Sequence, residues 1–138
     1  MKKIALSLFV LSVVLVSCKK DDKNCDLNSA NFVGSYKVTA ITYKANATTP
    51  VVDEYATLPV CEKDDVITFN ANGTITYTDA GVVCSPSGSS TGVWALSGNT
   101  VTLDGTAYGV AAFSCSGTTI TESGPAAGEL YTVTLVKQ

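Results

Sequence analysis

The chain lacks histidine and arginine altogether, and each absence restricts what the protein can do. Histidine is the commonest general base and supplies the imidazole ligand of most zinc and copper sites, so we expect no metal, no cofactor and no enzyme activity. Without arginine, nine lysines face twelve acidic residues, for a net charge of −3. Because phosphate backbones are bound by stripes of basic residues, we also expect no nucleic-acid partner.

A hydrophobic run long enough to cross a membrane is also missing. The N-terminal apolar stretch, residues 4–16, is thirteen residues long, whereas a spanning helix needs about 20. A short apolar stretch after the basic start at residues 1–3 is typical of a signal peptide. Together with the Leu-Val-Ser-Cys sequence at residues 15–18, it resembles the signal peptide and lipobox of bacterial lipoproteins. The resemblance implies lipidation of Cys18, and an ordinary secretory signal is the alternative.

The residues that follow Cys18 suggest a more specific cellular location. Lys20, Asp21 and Asp22 resemble the lysine-plus-two-acids export signal of Bacteroidota surface lipoproteins. This resemblance implies a protein that its N-terminal lipid holds in the outer membrane at the cell surface. Attachment to the periplasmic leaflet is the alternative.

We expect the chain to have three parts. Residues 1–17 are the signal peptide, residues 18–30 are the lipidated N-terminus with a flexible tether, and residues 31–138 form one β-barrel domain. Removal of the signal peptide leaves 121 residues with seven lysines and twelve acids, for a net charge of −5. A chain of this length can bury a substantial core.

Four cysteines remain once Cys18 is assigned to lipid, namely Cys25, Cys61, Cys84 and Cys115. An even number of cysteines in an exported protein indicates disulfides. Three pairings are possible, and no two cysteines have the two-residue spacing of a zinc knuckle or a redox site. We favour Cys61–Cys84, which flanks one predicted hairpin, together with Cys25–Cys115, which ties the tether to a late strand.

The composition and patterning predict an all-β fold. Threonine, valine, glycine and serine are abundant, and these residues favour strands and turns. Residues 65–70 and 73–79 alternate around an Asn-Ala-Asn-Gly turn, and residues 91–104 contain a second hairpin. We expect eight or nine short strands and no helix. Consecutive hairpins favour an up-and-down barrel, with a β-sandwich as the alternative.

The first strand is predicted over residues 34–44, where apolar side chains alternate only in part. We expect Tyr36, Val38 and Ala40 on one face of this strand. Ile41 and Tyr43 then lie on the opposite face, because successive residues of a strand point to opposite sides.

Several segments in order resemble one family. Residues 32–38 look like the opening strand of lipocalin-like domains, with Tyr36 in place of the tryptophan common there. Residues 61–74, 92–96 and 103–105 continue in the order found in bacterial (Bacteroidota-type) lipocalin-like lipoproteins. The resemblance implies a calycin-type antiparallel barrel of about eight strands over residues 31–137.

Strand alternation also predicts which side chains point inward. Such residues line an apolar pocket in a ligand-binding barrel, although eight strands leave an interior that side chains can equally well fill. The predicted inward set is Ile67, Phe69, Ile75, Tyr77, Trp94, Leu96, Val101, Leu103, Tyr131, Val133 and Leu135. The candidates for ligand contact are Phe69, Tyr77, Trp94, Leu103 and Tyr131.

Two acidic pairs, Asp53–Glu54 and Asp64–Asp65, lie in predicted loops, where we expect solvated carboxylates, with a calcium site as the alternative.

The leading functional expectation for the whole protein is a non-enzymatic, lipid-anchored module that holds a small apolar or amphipathic ligand. The alternative is a structural or accessory envelope protein that acts through protein–protein contacts.

Overall fold

The computed structural model describes residues 25–138, so the expected signal peptide, the expected lipidation of Cys18 and the expected export signal at residues 20–22 lie outside the described residues. The helical elements are α1 Ser29–Phe32, α2 Val60–Lys63 and a 3-10 turn at Tyr55–Thr57. The strands are β1 Gly34–Lys44, β2 Val52–Asp53, β3 Val66–Phe69, β4 Thr74–Thr78, β5 Ser90–Ser97, β6 Thr100–Leu103, β7 Thr106–Ser114, β8 Gly117–Ser123 and β9 Leu130–Lys137.

Eight of these strands close into an antiparallel up-and-down barrel. From β3 to β9 each strand pairs with its neighbours in the chain, and β1 completes the circle by pairing with both β3 and β9. The short β2 pairs with the far end of β1, beyond the residues that pair with β3. The predicted all-β barrel is confirmed, and the β-sandwich alternative is wrong because the sheet closes on itself.

Because the strands alternate in direction, their connections alternate between two ends of the barrel. At one end, which we call the closed end, lie residues 25–33, 70–73, 98–99 and 115–116 and the C-terminus. At the other end, which we call the open end, lie residues 45–65, 79–89, 104–105 and 124–129.

Aromatic packing fills the closed end. Phe32, at the end of α1, is fully buried, and its ring lies 4.9 Å from that of Phe69 and 5.6 Å from that of Trp94. The Tyr36 hydroxyl donates a hydrogen bond of 2.7 Å to the Phe32 carbonyl oxygen, and burial raises the pKa of Tyr36 to about 12. Aromatic pairs of this kind contribute about 0.5–1.5 kcal/mol each beyond the area they bury. The single turn α1 therefore closes this end of the barrel with the Phe32 ring.

The two short α-helices show that the prediction of no helix is wrong. Each α-helix is a single turn of four residues, which is too short to show helical periodicity in a sequence. The first turn is stabilised by Asn28, whose side chain accepts a hydrogen bond from the Asn31 N–H.

Two disulfides join the connections at opposite ends, with the pairing expected from the sequence. Cys25–Cys115 ties the N-terminal segment to the β7–β8 turn at the closed end. Cys61–Cys84 ties α2 to the β4–β5 connection at the open end. A disulfide typically contributes 2–4 kcal/mol, and more when it closes a longer loop. Within residues 25–138, no helix is long and apolar enough to cross a membrane.

Candidate functional site

The interior of the barrel contains a cavity of about 210 Å³ near the open end. Its wall is mostly apolar and carries two carboxylates and one phenol. Four strand residues and three residues from the β1–β3 connection line it, namely Val38, Ile41, Ile67, Tyr77, Leu58, Glu62 and Asp65.

A bulge in β1 brings two of these residues to the same side. The register of β1 against β9 shifts between Val38 and Ala40, which leaves Thr39 as the extra residue. A bulge of one residue reverses the alternation that follows it, so Val38 and Ile41 both point inward. The predicted placement of Ile41 on the face opposite to Val38 is therefore wrong.

One side of the cavity is formed by Leu58 and Glu62, which belong to residues 55–63, the 3-10 turn and α2, here called the cover segment. The Lys63 ammonium group donates to the Ala56 carbonyl oxygen at 3.1 Å and lies 5.4 Å from the centre of the Tyr55 ring. Asp53 accepts a hydrogen bond of 3.0 Å from the Ala56 N–H and so fixes the start of the segment. With Cys61 bonded to Cys84, the cover segment is held by its own contacts and by the opposite connection.

The acidic pair Asp64–Asp65 anchors the β4–β5 connection. Asp64 accepts a hydrogen bond of 2.8 Å from the Val82 N–H, and Asp65 accepts one of 3.3 Å from the Ala80 N–H. These carboxylates replace the partners that the backbone of the connection lacks. The Asp64 and Asp65 carboxylates, which were expected to be solvated, thus bind backbone N–H groups of the β4–β5 connection.

Asp79 performs the same role for the far side of this connection. Its carboxylate accepts hydrogen bonds from the Cys84 N–H at 3.1 Å and the Gly88 N–H at 3.0 Å. Desolvation acts to raise the pKa of Asp79, but these two bonds and one from Ser87 outweigh it and hold the pKa below its usual value. The hydrogen bonds around Asp79 therefore favour the ionised form of its carboxyl group.

Of the five residues predicted to contact a ligand, only Tyr77 lines the cavity. Phe69 and Trp94 are 1% and 7% exposed and belong to the aromatic packing of the closed end. Leu103 packs against the core, and Tyr131 is 42% exposed, with its ring 4.9 Å from that of Tyr43. The ring pair therefore contributes to the rim of the open end.

The phenols near the open end are kept protonated. Burial raises the pKa of Tyr77, and the negative charge of Asp104 and the nearby Tyr108 raise it further. At the rim, the Tyr43 hydroxyl donates a hydrogen bond of 3.0 Å to Glu129, which raises the pKa of Tyr43. Tyr77 thus lines the cavity as a neutral phenol.

Two further depressions lie against strands β6–β9, with volumes of about 250 Å³ and 380 Å³. Most of their lining residues are serine, threonine, glycine and alanine. They offer less apolar wall than the cavity, which makes the cavity the stronger candidate for ligand binding.

A closed barrel of eight strands with an interior cavity defines a class of proteins whose architecture is compatible with binding a small ligand. The model of the lipocalin-like domain family matches residues 32–124, which is more than half of the chain, and the protein belongs to this family. Members of the family are generally binding proteins. Comparison with curated proteins and with solved structures returns no match.

Proposed function

We propose that this protein is a non-enzymatic lipoprotein of the outer membrane, anchored by lipid on Cys18 and exposed at the cell surface. Its barrel holds a small apolar or amphipathic ligand in the open-end cavity. The observation that carries the proposal is the cavity itself, in which five apolar or aromatic side chains face one space that is partly open to solvent. Removing apolar ligand surface from water there contributes about 25 cal/mol per Å².

The size of the cavity limits the ligand. Its volume of about 210 Å³ lies below the roughly 300–1,000 Å³ of typical small-molecule sites. The ligand is therefore a small molecule, or one that buries an apolar tail and leaves its head at the mouth. The second geometry suits an amphipathic compound, because the carboxylates of Glu62 and Asp65 lie on the same wall.

The Cys25–Cys115 disulfide supports an orientation for the anchored protein. Cys115 lies at the closed end, so the chain leaves the barrel there on its way to Cys18. The seven Cα–Cα steps from Cys18 to Cys25 span at most about 25 Å. A lipid on Cys18 therefore keeps the closed end near the bilayer and turns the cavity away from it, so that ligand enters from the aqueous side.

Ligand binding is tested by thermal unfolding of the purified barrel with a panel of alkyl compounds and apolar dyes. A ligand at about 100 times its Kd stabilises the native state by about 2.7 kcal/mol, which raises Tm. Val38→Phe should abolish this shift, because the ring occupies the cavity, whereas Val93→Phe on the exposed outer face should leave it intact. Equal Tm shifts for the two variants would place the ligand elsewhere.

The anchor is tested separately in cells. Metabolic labelling with an alkyne analogue of palmitate should mark the wild-type protein and not Cys18→Ser. Digestion of intact cells by an external protease should then remove the labelled protein. Protection from the protease would support the periplasmic leaflet instead, and unlabelled wild-type protein would contradict lipidation.

Exposed valines favour a second candidate function, that of an accessory envelope protein acting through protein contacts. Five of them lie in connections at the open end, namely Val51, Val52, Val60, Val82 and Val83. Val60 and Val83 are each the chain neighbour of a cysteine in the Cys61–Cys84 disulfide, and exposed apolar groups of this kind often mark contact surfaces. Crosslinking in cells should capture a partner with the wild type and lose it with Val60→Ser, whereas Val93→Ser serves as the control.

A further inference from the structure

We infer that the ligand of the open-end cavity is a cationic amphiphile, with an apolar body and an ammonium head. The inference rests on the proposed function, because it specifies what the cavity binds. It is carried by the charge of the cavity wall and by the distribution of charge over the two ends of the barrel.

Acidic residues are concentrated at the open end. Residues 25–138 contain ten carboxylate side chains. Nine of them lie in the open-end connections or within two residues of such a connection. These nine are Asp53, Glu54, Glu62, Asp64, Asp65, Asp79, Asp104, Glu122 and Glu129. Only Lys44 and Lys63 carry positive charge at this end, whereas Asp26 is the one acid at the closed end of the described chain. An entrance lined by negative charges attracts positively charged ligands.

Two of the nine acidic residues, Glu62 and Asp65, line the cavity, and the Glu62 side chain is exposed to solvent. The nearest lysine in the chain, Lys63, directs its ammonium group to the Ala56 carbonyl oxygen. Within the described residues, no lysine forms an ion pair with either carboxylate, and no group donates a hydrogen bond to that of Glu62. Glu62 therefore retains its full capacity to accept hydrogen bonds from a ligand.

The remaining wall suits the apolar part of such a ligand. Val38, Ile41 and Ile67 come from the inward faces of β1 and β3, and Leu58 covers them from the cover segment. Tyr77 adds a neutral aromatic ring to the same wall. A fatty acid, by contrast, would bring its carboxylate against two acidic residues of like charge, which repel it.

Structural roles account for most of the open-end acids but not for Glu54, Glu62 and Glu122, and of these three only Glu62 lines the cavity. Asp64, Asp65 and Asp79 bind backbone N–H groups, and Glu129 accepts from Tyr43. Glu62 has no such task, and its position in α2 is set by the neighbouring Cys61–Cys84 disulfide. We therefore assign Glu62 as the residue that selects the ligand head, with Asp65 adding to the field.

The test compares three probes with the same alkyl chain, namely octylamine as the ammonium form, octanoate and octanol, by isothermal titration calorimetry at pH 7. Wild-type protein should bind octylamine about tenfold more tightly than octanoate, with octanol between them. Glu62→Gln should reduce the affinity for octylamine about fivefold and leave that for octanol unchanged. Glu54→Gln, which removes an open-end charge outside the cavity wall, is the matched control and should change neither.

The outcomes separate this inference from the proposed function. Equal affinity for octylamine and octanoate, with binding of octanol retained, overturns the cationic preference and leaves a ligand-binding barrel. A loss of octylamine affinity in Glu54→Gln equal to that in Glu62→Gln overturns the assignment of Glu62. Absence of binding for all three probes, with no change in Tm, overturns the proposed function and the inference together.

Discussion

The two ends of the barrel are built from the same eight strands and differ in almost every other respect. The closed end is filled by the rings of Phe32, Tyr36, Phe69 and Trp94, and the N-terminal segment is tied to it by a disulfide. The open end contains a cavity, a disulfide-held cover segment and nine of the ten described carboxylates. The difference shows that side-chain volume decides where a barrel of this size is solid and where it is hollow.

Large-to-small substitutions should give the largest contrast between the two ends. Phe69→Ala at the closed end should lower the free energy of unfolding by about 3–5 kcal/mol, because it leaves a void among packed rings. Leu58→Ala in the cavity wall should cost less than about 1.5 kcal/mol, because its side chain already borders empty space. Urea denaturation measures both values, and a Leu58→Ala cost equal to that of Phe69→Ala would contradict the division into a solid and a hollow end.

Removal of the two disulfides should sharpen the comparison. The double variant Cys25→Ser/Cys115→Ser removes a disulfide whose cysteines are 90 residues apart in the sequence. The double variant Cys61→Ser/Cys84→Ser removes one whose cysteines are 23 residues apart. Each should cost about 2–4 kcal/mol of stability, with the first about 1 kcal/mol more because its loop is longer. Only the second pair releases the cover segment, so it alone should speed ligand dissociation, as measured by stopped-flow fluorescence. Equal dissociation rates for both pairs would show that the cover segment does not retain the ligand.

Low pH should loosen the open end before the closed end. The pKa of Asp79 is depressed in the folded protein, so its stabilising contribution is present above the unfolded pKa of about 3.9 and is lost as pH falls through the folded pKa. The hydrogen-exchange protection factors of the Cys84 and Gly88 N–H groups should fall over this range while those in β1 stay high. Asp79→Asn should give low protection factors at these two groups at every pH, and unchanged protection factors in that variant would exclude Asp79 as the anchor.

The sequence was most informative where local chemistry decides structure. The β3–β4 hairpin follows from alternation around an Asn-Gly turn, and Gly73 has the positive φ of 81° that such a turn requires. The disulfide pairing follows from which cysteines flank that hairpin. These features depend on neighbours in the chain, so their signal is present in short stretches of sequence.

The cavity wall could be predicted only in part, because it depends on contacts between distant segments. Ile67 and Tyr77 belong to the predicted inward set, but the bulge at Thr39 turns Ile41 inward against the simple alternation. Leu58 and Glu62 come from a connection without periodicity, and nothing in their spacing indicates that they cover a cavity.

The smallest expected effect concerns the closed end at high pH. The pKa of Tyr36 is raised to about 12, so its contribution to stability is complete below the unfolded pKa of about 10 and is lost as pH rises through the folded value. Tyr36→Phe removes the hydrogen bond to the Phe32 carbonyl oxygen, which should cost about 1 kcal/mol at neutral pH. Absorbance at the tyrosinate band should show one tyrosine of the wild type titrating last, and that step should be missing in Tyr36→Phe. If the step persists, the most protected phenol lies at the open end, and the closed end is less completely shielded from water than its packing implies.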